Sequence, residues 1–207
     1  QMDFRKFCVN GETYGEGVTE IKRNVMMKMG LKVPEEPASS DPSQRRTPHV
    51  DLIDHKLEDL LRSRSGEQYN AVYNLLLHLA INHEVVPSID ESDGTLSYSA
   101  SSPDETALCY GAKHFGFVFK SRSSTGMEVE LDDGTLLKVT VLAILKFTSA
   151  RKRSSLVCRF EITRPDGSVK TTQSIYTKGA DTVIMERIHP RLRGTPGVVR
   201  TNAVLEE

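Results

Sequence analysis

Three short segments carry the residue types best suited to chemistry. Ser101-Ser102-Pro103-Asp104-Glu105-Thr106-Ala107-Leu108 sets a carboxylate three positions after a hydroxyl. Lys146-Phe147-Thr148-Ser149-Ala150-Arg151-Lys152-Arg153 sets an aromatic ring just ahead of a run of cations. Tyr176-Thr177-Lys178-Gly179-Ala180-Asp181 sets a lysine against a glycine. A ring such as Phe147 at a strand end offers a flat apolar face for stacking. Arg151, Lys152 and Arg153 form a cationic patch suited to phosphate oxygens. Gly179 has no side chain, so a ligand can approach closely beside Lys178. Taken singly, each segment also has a plain structural reading. The first is a capped helix start, the second a strand ending in a solvated basic turn, the third a glycine turn into a helix.

Other familiar chemistry is missing. The sequence has no GxxxxGK[ST] loop, no GxGxxG, no HExxH and no GxSxG elbow. The six histidines show no ligand spacing. His78 and His83 are five apart, which does not put them on one helical face, and read as surface or internally satisfied groups. The three cysteines, Cys8, Cys109 and Cys158, are odd in number and form no CxxC pair. That argues against a disulfide framework or a zinc site, and Cys109 and Cys158 read as small core residues. No Asn-x-Ser/Thr sequon occurs, which together with the cysteine usage favours a reducing compartment.

Charge and length narrow the classes further. The 207 residues hold 27 Lys+Arg against 28 Asp+Glu, a net charge of -1. A nucleic-acid binder needs a positive excess, so none is expected as a partner. Hydrophobic residues at 38% and charged residues at 27% are ordinary for one globular domain. The longest aliphatic run, Val141–Leu145, falls far short of the roughly 20 residues that span a bilayer, so neither a transmembrane segment nor a signal peptide is expected.

The elements that must position the three segments can be read from periodicity. Met2–Tyr14 reads as two short strands about the turn dipeptide Asn10-Gly11. Val18–Met29 has helical spacing. Residues 34–49 carry four prolines and a polar run, and read as a flexible loop whose Arg45-Arg46-Thr47 has the look of a kinase target. Val50–Arg64 has helical spacing. Ser65-Gly66-Glu67-Gln68 has the form of a capping box that opens a second helix through Ala80, and Pro87 reads as the stop of the stretch after that helix. After the turn at Asp93-Gly94, Leu96–Ala100 reads as a strand. Ser102 then caps a helix with Pro103 at its first position and Glu105 reaching back to the cap N–H; Gly116 stops that helix. Phe117–Lys120, Met127–Leu131 and Thr135–Lys146 read as strands, followed by a hairpin, Ser155–Ile162 and Ser168–Thr177, around Pro165-Asp166-Gly167. A last helix starts near Ala180. Helices cluster early and hairpins late, which predicts one α+β domain, a mostly antiparallel sheet flanked by helices.

In this order and spacing, SSPDETAL, KFTSARKRSSLV and YTKGADTVIMERI resemble the nucleotide-binding domain of P-type ATPases. The Ser-Pro-Asp-Glu-x-Ala, Phe-x-Ser-x-Arg-Lys-Arg and Lys-Gly-Ala-Asp-x-Val-Ile forms together are similar to one subgroup, the type-four P-type ATPases or phospholipid flippases. FRKFCVNGETYGEG resembles the strand pair after that family's phosphorylated aspartate, and His83-Glu84-Val85-Val86-Pro87 resembles a further flippase element. The resemblance covers most of residues 2–189. Ser154 stands where flippases usually carry methionine, Asn82 where cysteine is usual, and the tail 190–207 is atypical.

The resemblance implies an ATP site. Phe147 would stack on adenine, Glu105 would accept from the adenine amino group, and Lys178 beside Gly179 would lie deep in the pocket. Lys152, five residues after the ring, would face phosphate, with Ser149 a minor polar contact. No catalytic residue and no metal ligand is implied in this chain. Mg2+ would be held mainly by the phosphorylation domain, whose Asp-Lys-Thr-Gly and Gly-Asp-Gly elements the sequence lacks. The chain would be a cytosolic domain of an integral membrane pump, an enzyme only when intact. Its partners would be ATP, the pump's phosphorylation and actuator domains, a phospholipid substrate, and a small accessory β-subunit reached through membrane regions. Two alternatives keep the same fold: a cation-transporting P-type ATPase, against which the Ser-Pro-Asp-Glu and Arg-Lys-Arg forms argue, and a non-catalytic regulatory module.

Overall fold

The structure is a computed structural model that describes residues 2–15, 20–33, 47–163 and 166–206. Its centre is an antiparallel sheet of five strands in sequence order: β5 (Phe117–Arg122), β6 (Gly126–Leu131), β7 (Leu136–Thr148), β8 (Arg153–Thr163) and β9 (Val169–Gly179). Two hairpins stand apart, β1 (Phe7–Val9) with β2 (Glu12–Tyr14), and β3 (Val86–Ile89) with β4 (Leu96–Ser99). The helices are α1 (Glu20–Lys28), α2 (His55–Ser63), α3 (Glu67–Ile81), α4 (Pro103–His114), α5 (Asp181–Met185), α6 (Pro190–Arg193) and α7 (Pro196–Glu206). The α+β expectation holds.

The core sits between one sheet face and the pair α3–α4, which pack on each other and on β5. Period-two alternation turns Met127, Val129 and Leu131, then Leu137 and Val139, then Leu156, Cys158 and Phe160 to that face. The helices answer with Val72, Leu76, Leu77 and Ala80 from α3 and Cys109 and Ala112 from α4. Burying each such aliphatic or aromatic side chain is worth about 1.5–3 kcal/mol.

Several local expectations are corrected. The helix expected over Val50–Arg64 starts only at His55. Val50 instead bridges Phe4 in parallel, and Asp54 is the N-cap, accepting from the Leu57 amide at 3.0 Å. The capping box at Ser65–Gln68 does not form: the N-cap is Gly66 at φ 93° without a side-chain cap. Gln68 is recruited to the first hairpin, where its amide nitrogen donates to the Val9 carbonyl (3.1 Å) and the Tyr14 hydroxyl (2.9 Å). Pro87 terminates nothing and sits inside β3, in a two-stranded ribbon where a missing donor is tolerated. Residues 34–46 of the expected loop, and the start of the helix expected from Val18, lie outside the described residues.

The atypical tail is ordered as α6 and α7, and α7 packs on β1 and β2. The Gly11 amide donates to Thr201 Oγ1 at 2.8 Å, and the Arg200 guanidinium donates to the Asn10 carbonyl at 3.4 Å. Asn10 and Gly11 both take positive φ, 52° and 78°, as the tight turn between β1 and β2 requires.

Candidate functional site

Strand β7 outruns β6. Their pairing ends at Gly126 with Thr140, while β7 continues to Thr148 against β8. Where β6 stops, a cleft of about 730 Å³ opens, within the usual range for small-molecule sites. Its rim carries Phe147 from β7, Glu105 from α4 and Lys178 from β9, three residues brought together from all three sequence segments. Lys146 and Arg122 add two more cations, and Ile81 and Leu156 supply apolar floor.

Each side chain is placed by local structure. Ser102 caps α4 with Pro103 behind it, though its oxygen lies 3.5 Å from the Glu105 amide. Glu105 does not complete the reciprocal capping contact expected from the sequence. Its Oε2 accepts from the Glu84 amide at 3.0 Å, and its Oε1 accepts from Lys178 Nζ at 2.6 Å. Those donors take both carboxylate oxygens and leave none for the cap amide. Burial pushes the Glu105 carboxyl pKa up, yet the Lys178 and Glu84 hydrogen bonds and the Lys178 charge outweigh it and hold the group below its ordinary value. Glu105 is therefore ionised at neutral pH. An ammonium has three donors and Glu105 takes one, which leaves Lys178 able to serve a ligand anion.

Phe147 is 62% exposed, an uncovered ring at the end of a strand. Exposure of that size is not core packing, so the ring is free to stack. Asn82 ties the end of α3 to β9: its Nδ2 donates to His78 Nε2 at 2.8 Å and to the Tyr176 carbonyl at 3.4 Å. His78 lies against Tyr176 with ring centroids 5.3 Å apart. Burial first, and then the Lys178 charge, lower its pKa to about 4. His83 is lowered to about 4 as well, mainly by burial. Both histidines are neutral and internally partnered, in keeping with the expectation from their spacing, and the charge of the cleft is left to Glu84, Glu105, Lys178, Lys146 and Arg122.

The remaining expected residues lie beside the cleft instead of lining it. Ser149 and Lys152 sit on the turn between β7 and β8, with Lys152 in the left-handed region at φ 50°. Arg151 of the basic run folds back to donate to the Lys146 carbonyl at 2.8 Å. Gly179 pairs with Arg153 at the end of the β8–β9 ladder. A Cβ there would stand 2.5 Å from the Lys152 carbonyl oxygen and 2.6 Å from Arg153 Cβ. The room created by this glycine is thus filled by the adjoining strand and not left to a ligand, which corrects the expectation. Lys146 and Arg122 were not expected. Adjacency to Phe147 was the available signal for Lys146; Arg122 had none in a period-two reading.

No family model matches the chain. It is, however, 33% identical over 189 residues to the human probable phospholipid-transporting ATPase IM, covering 91% of this chain and 14% of that protein. It is 36% identical to phospholipid-transporting ATPase IC of Xenopus tropicalis, covering 91% of this chain and 13% of the relative. It is 37% identical to mouse phospholipid-transporting ATPase IK, covering 92% and 12%. The chain thus spans about one-eighth of the length of these relatives. Identity of this level, sustained across about nine-tenths of the chain, together with the three motif segments converging on one cleft, makes the chain a member of the type-four P-type ATPase family, as one segment of such a pump.

Proposed function

We propose that this segment binds ATP in the cleft and, within an intact pump, presents the γ-phosphate to an aspartate on another domain. The observation that carries the reading is the convergence of an uncovered Phe147 ring with the Glu105–Lys178 pair at one 730 Å³ opening. The residues suit a nucleotide. Phe147 offers its face to adenine, and the Glu105 carboxylate accepts from an exocyclic amine. Lys178 and Lys146 neutralise phosphate oxygens; a Mg2+ ion, if bound, would add charge neutralisation there and would be held mainly by the separate domain. Delivery of a phosphoryl group is mostly positioning and charge neutralisation, which a binding domain can supply without a nucleophile of its own. The kinship to phospholipid-transporting ATPases favours phospholipid over cation as the cargo of the whole protein.

A site with one stacking face and a few half-exposed cations should bind ATP with a Kd of roughly 0.1–1 mM. Calorimetric titration of the purified chain with ATP measures it. A saturable isotherm in that range, with no phosphate released over hours, is expected. Absence of saturable heat up to about ten times that range would defeat the reading.

A further inference from the structure

Strand β5 contains one irregularity. Its pairing with β6 runs Phe117 with Leu131, Val118 with Glu130 and Phe119 with Val129, then slips, so that Ser121 faces Glu128 and Arg122 faces Met127. In an unbroken ladder Ser121 would stand opposite Met127, on the buried face, and Arg122 would point to solvent. The extra residue, Lys120, turns the strand by one step, and Arg122 enters the inner face instead.

The guanidinium that enters is fully engaged on one side. Its Nη2 donates to the His83 carbonyl at 2.6 Å and lies 3.2 Å from His83 Nδ1. Its plane lies 5.4 Å from the Phe119 ring centroid. Its Nε is buried with no hydrogen-bond partner among the described residues, so it is held there at some cost. His83 is itself fixed: Nε2 donates to the Ala80 carbonyl at 2.8 Å, and Nδ1 accepts from the Val85 amide at 3.1 Å. The next residue, Glu84, gives its amide to Glu105 Oε2, and Glu105 Oε1 holds Lys178. An unbroken chain of contacts runs from Arg122 through His83 and the Glu84 amide to Glu105 and Lys178.

We propose that Arg122 is a positioning residue of the cleft: by clamping the turn after α3, it aims the Glu84 amide at Glu105 and so sets where the Glu105–Lys178 pair stands. It lines the cleft, but its positioning effect runs through Glu105. The inference rests on the ATP-site reading for its purpose, but not for its geometry, so it can be tested without nucleotide. Charge and geometry are separable. Arg122→Lys keeps a cation near the cleft but loses the planar fork, and Arg122→Gln loses the cation but keeps a neutral donor.

The test is carbon-detected titration of the Glu105 carboxyl in the ligand-free protein, read together with the 15N shift of the Glu84 amide. In the unaltered protein, the Glu84 amide shift follows the Glu105 titration through their hydrogen bond. In both variants that correlated step is expected to vanish and the Glu105 midpoint to rise toward its ordinary value, with the melting curve still cooperative. In proteins that bind ATP, both variants weaken it by roughly 3- to 10-fold, and the loss disappears when Glu105→Gln is already present. Arg122 is reduced to a bystander if the Glu84 amide still reports the Glu105 titration in both variants. The proposal also falls if lysine restores everything, since charge alone would then suffice, or if neither variant folds, since the role would then be structural. Failure of ATP to bind the unaltered protein would overturn the ATP-site reading and leave the titration result standing on its own.

Discussion

Phe147 and Lys178 divide recognition between a face and a charge. Because the ring is 62% exposed, Phe147→Ala should leave the melting temperature nearly unchanged. It should weaken ATP, ADP and AMP by similar factors, since all three share the base. Base–aromatic stacking is worth about 1–3 kcal/mol, so the loss should be roughly 5- to 100-fold. A large drop in melting temperature with intact binding would make the ring structural. Lys178→Ala should weaken ATP more than AMP, and more at low than at high ionic strength, because salt screens a partly exposed cation. Lys178→Arg should not restore binding fully, because a planar guanidinium does not match a compact ammonium seated 2.6 Å from Glu105. Titrations of each variant with AMP and ATP at two salt concentrations decide the matter. Glu105 itself was legible only as a helix-capping carboxylate from local sequence. Its true hydrogen bonds, to residues 21 and 73 positions away, depend on the fold and left no local mark.

At the scale of elements, the glycine at the end of β9 makes a sharp demand. Any Cβ at Gly179 would stand 2.5 Å from the Lys152 carbonyl oxygen, so Gly179→Ala must push β8 and β9 apart at the edge of the cleft. Overpacking of this kind costs typically about 1–3 kcal/mol. Both the denaturation midpoint and ATP affinity should fall, the second because Lys178 is the adjacent residue; an unchanged midpoint would contradict the close approach. The five strands of the central sheet and α4 were readable in advance because alternation, Pro103 and Gly116 are local signals that tertiary packing did not overrule. Where packing did overrule, the misreadings have identifiable causes. Val50 and Leu52 mimic helical spacing, but Val50 pairs with Phe4. Gln68 looks like a capping residue but serves the first hairpin. Arg122 lies beyond the strand read over Phe117–Lys120, and the bulge at Lys120 that turns it to the inner face has no reliable signature in composition.

For the whole molecule, acid is the condition that finds the weak points. His78 and His83 have folded pKa values of about 4, against about 6.5 when unfolded. Between those values the unfolded chain takes up protons that the fold refuses, so stability rises with pH there. The stabilisation is fully present above about pH 6.5 and is lost progressively toward pH 4, by up to about 2 kcal/mol per histidine at pH 5. Glu105, with its lowered pKa, adds a further loss lower down, as its carboxylate protonates. Denaturant melts at pH 7.5, 6 and 5 should trace this slope, and His78→Gln, whose amide oxygen can still accept from Asn82, should flatten it. A slope unaffected by that variant would remove His78 from the account. The contact between α7 and the first hairpin bears on a different property, mechanical response. Gly11 and Thr201 lie 190 positions apart yet share a hydrogen bond, so the two ends of the described chain leave from one small seam. Tension applied between residues 2 and 206 would reach that seam before it reached the β7–β8–β9 ladder. The seam is a few side-chain and backbone contacts at a helix face, whereas the ladder is a long register of paired strands. Stretched one molecule at a time, the protein should therefore yield first in a short, low-force step as α7 peels from the turn at Asn10 and Gly11, and only then in a longer step as the sheet gives way.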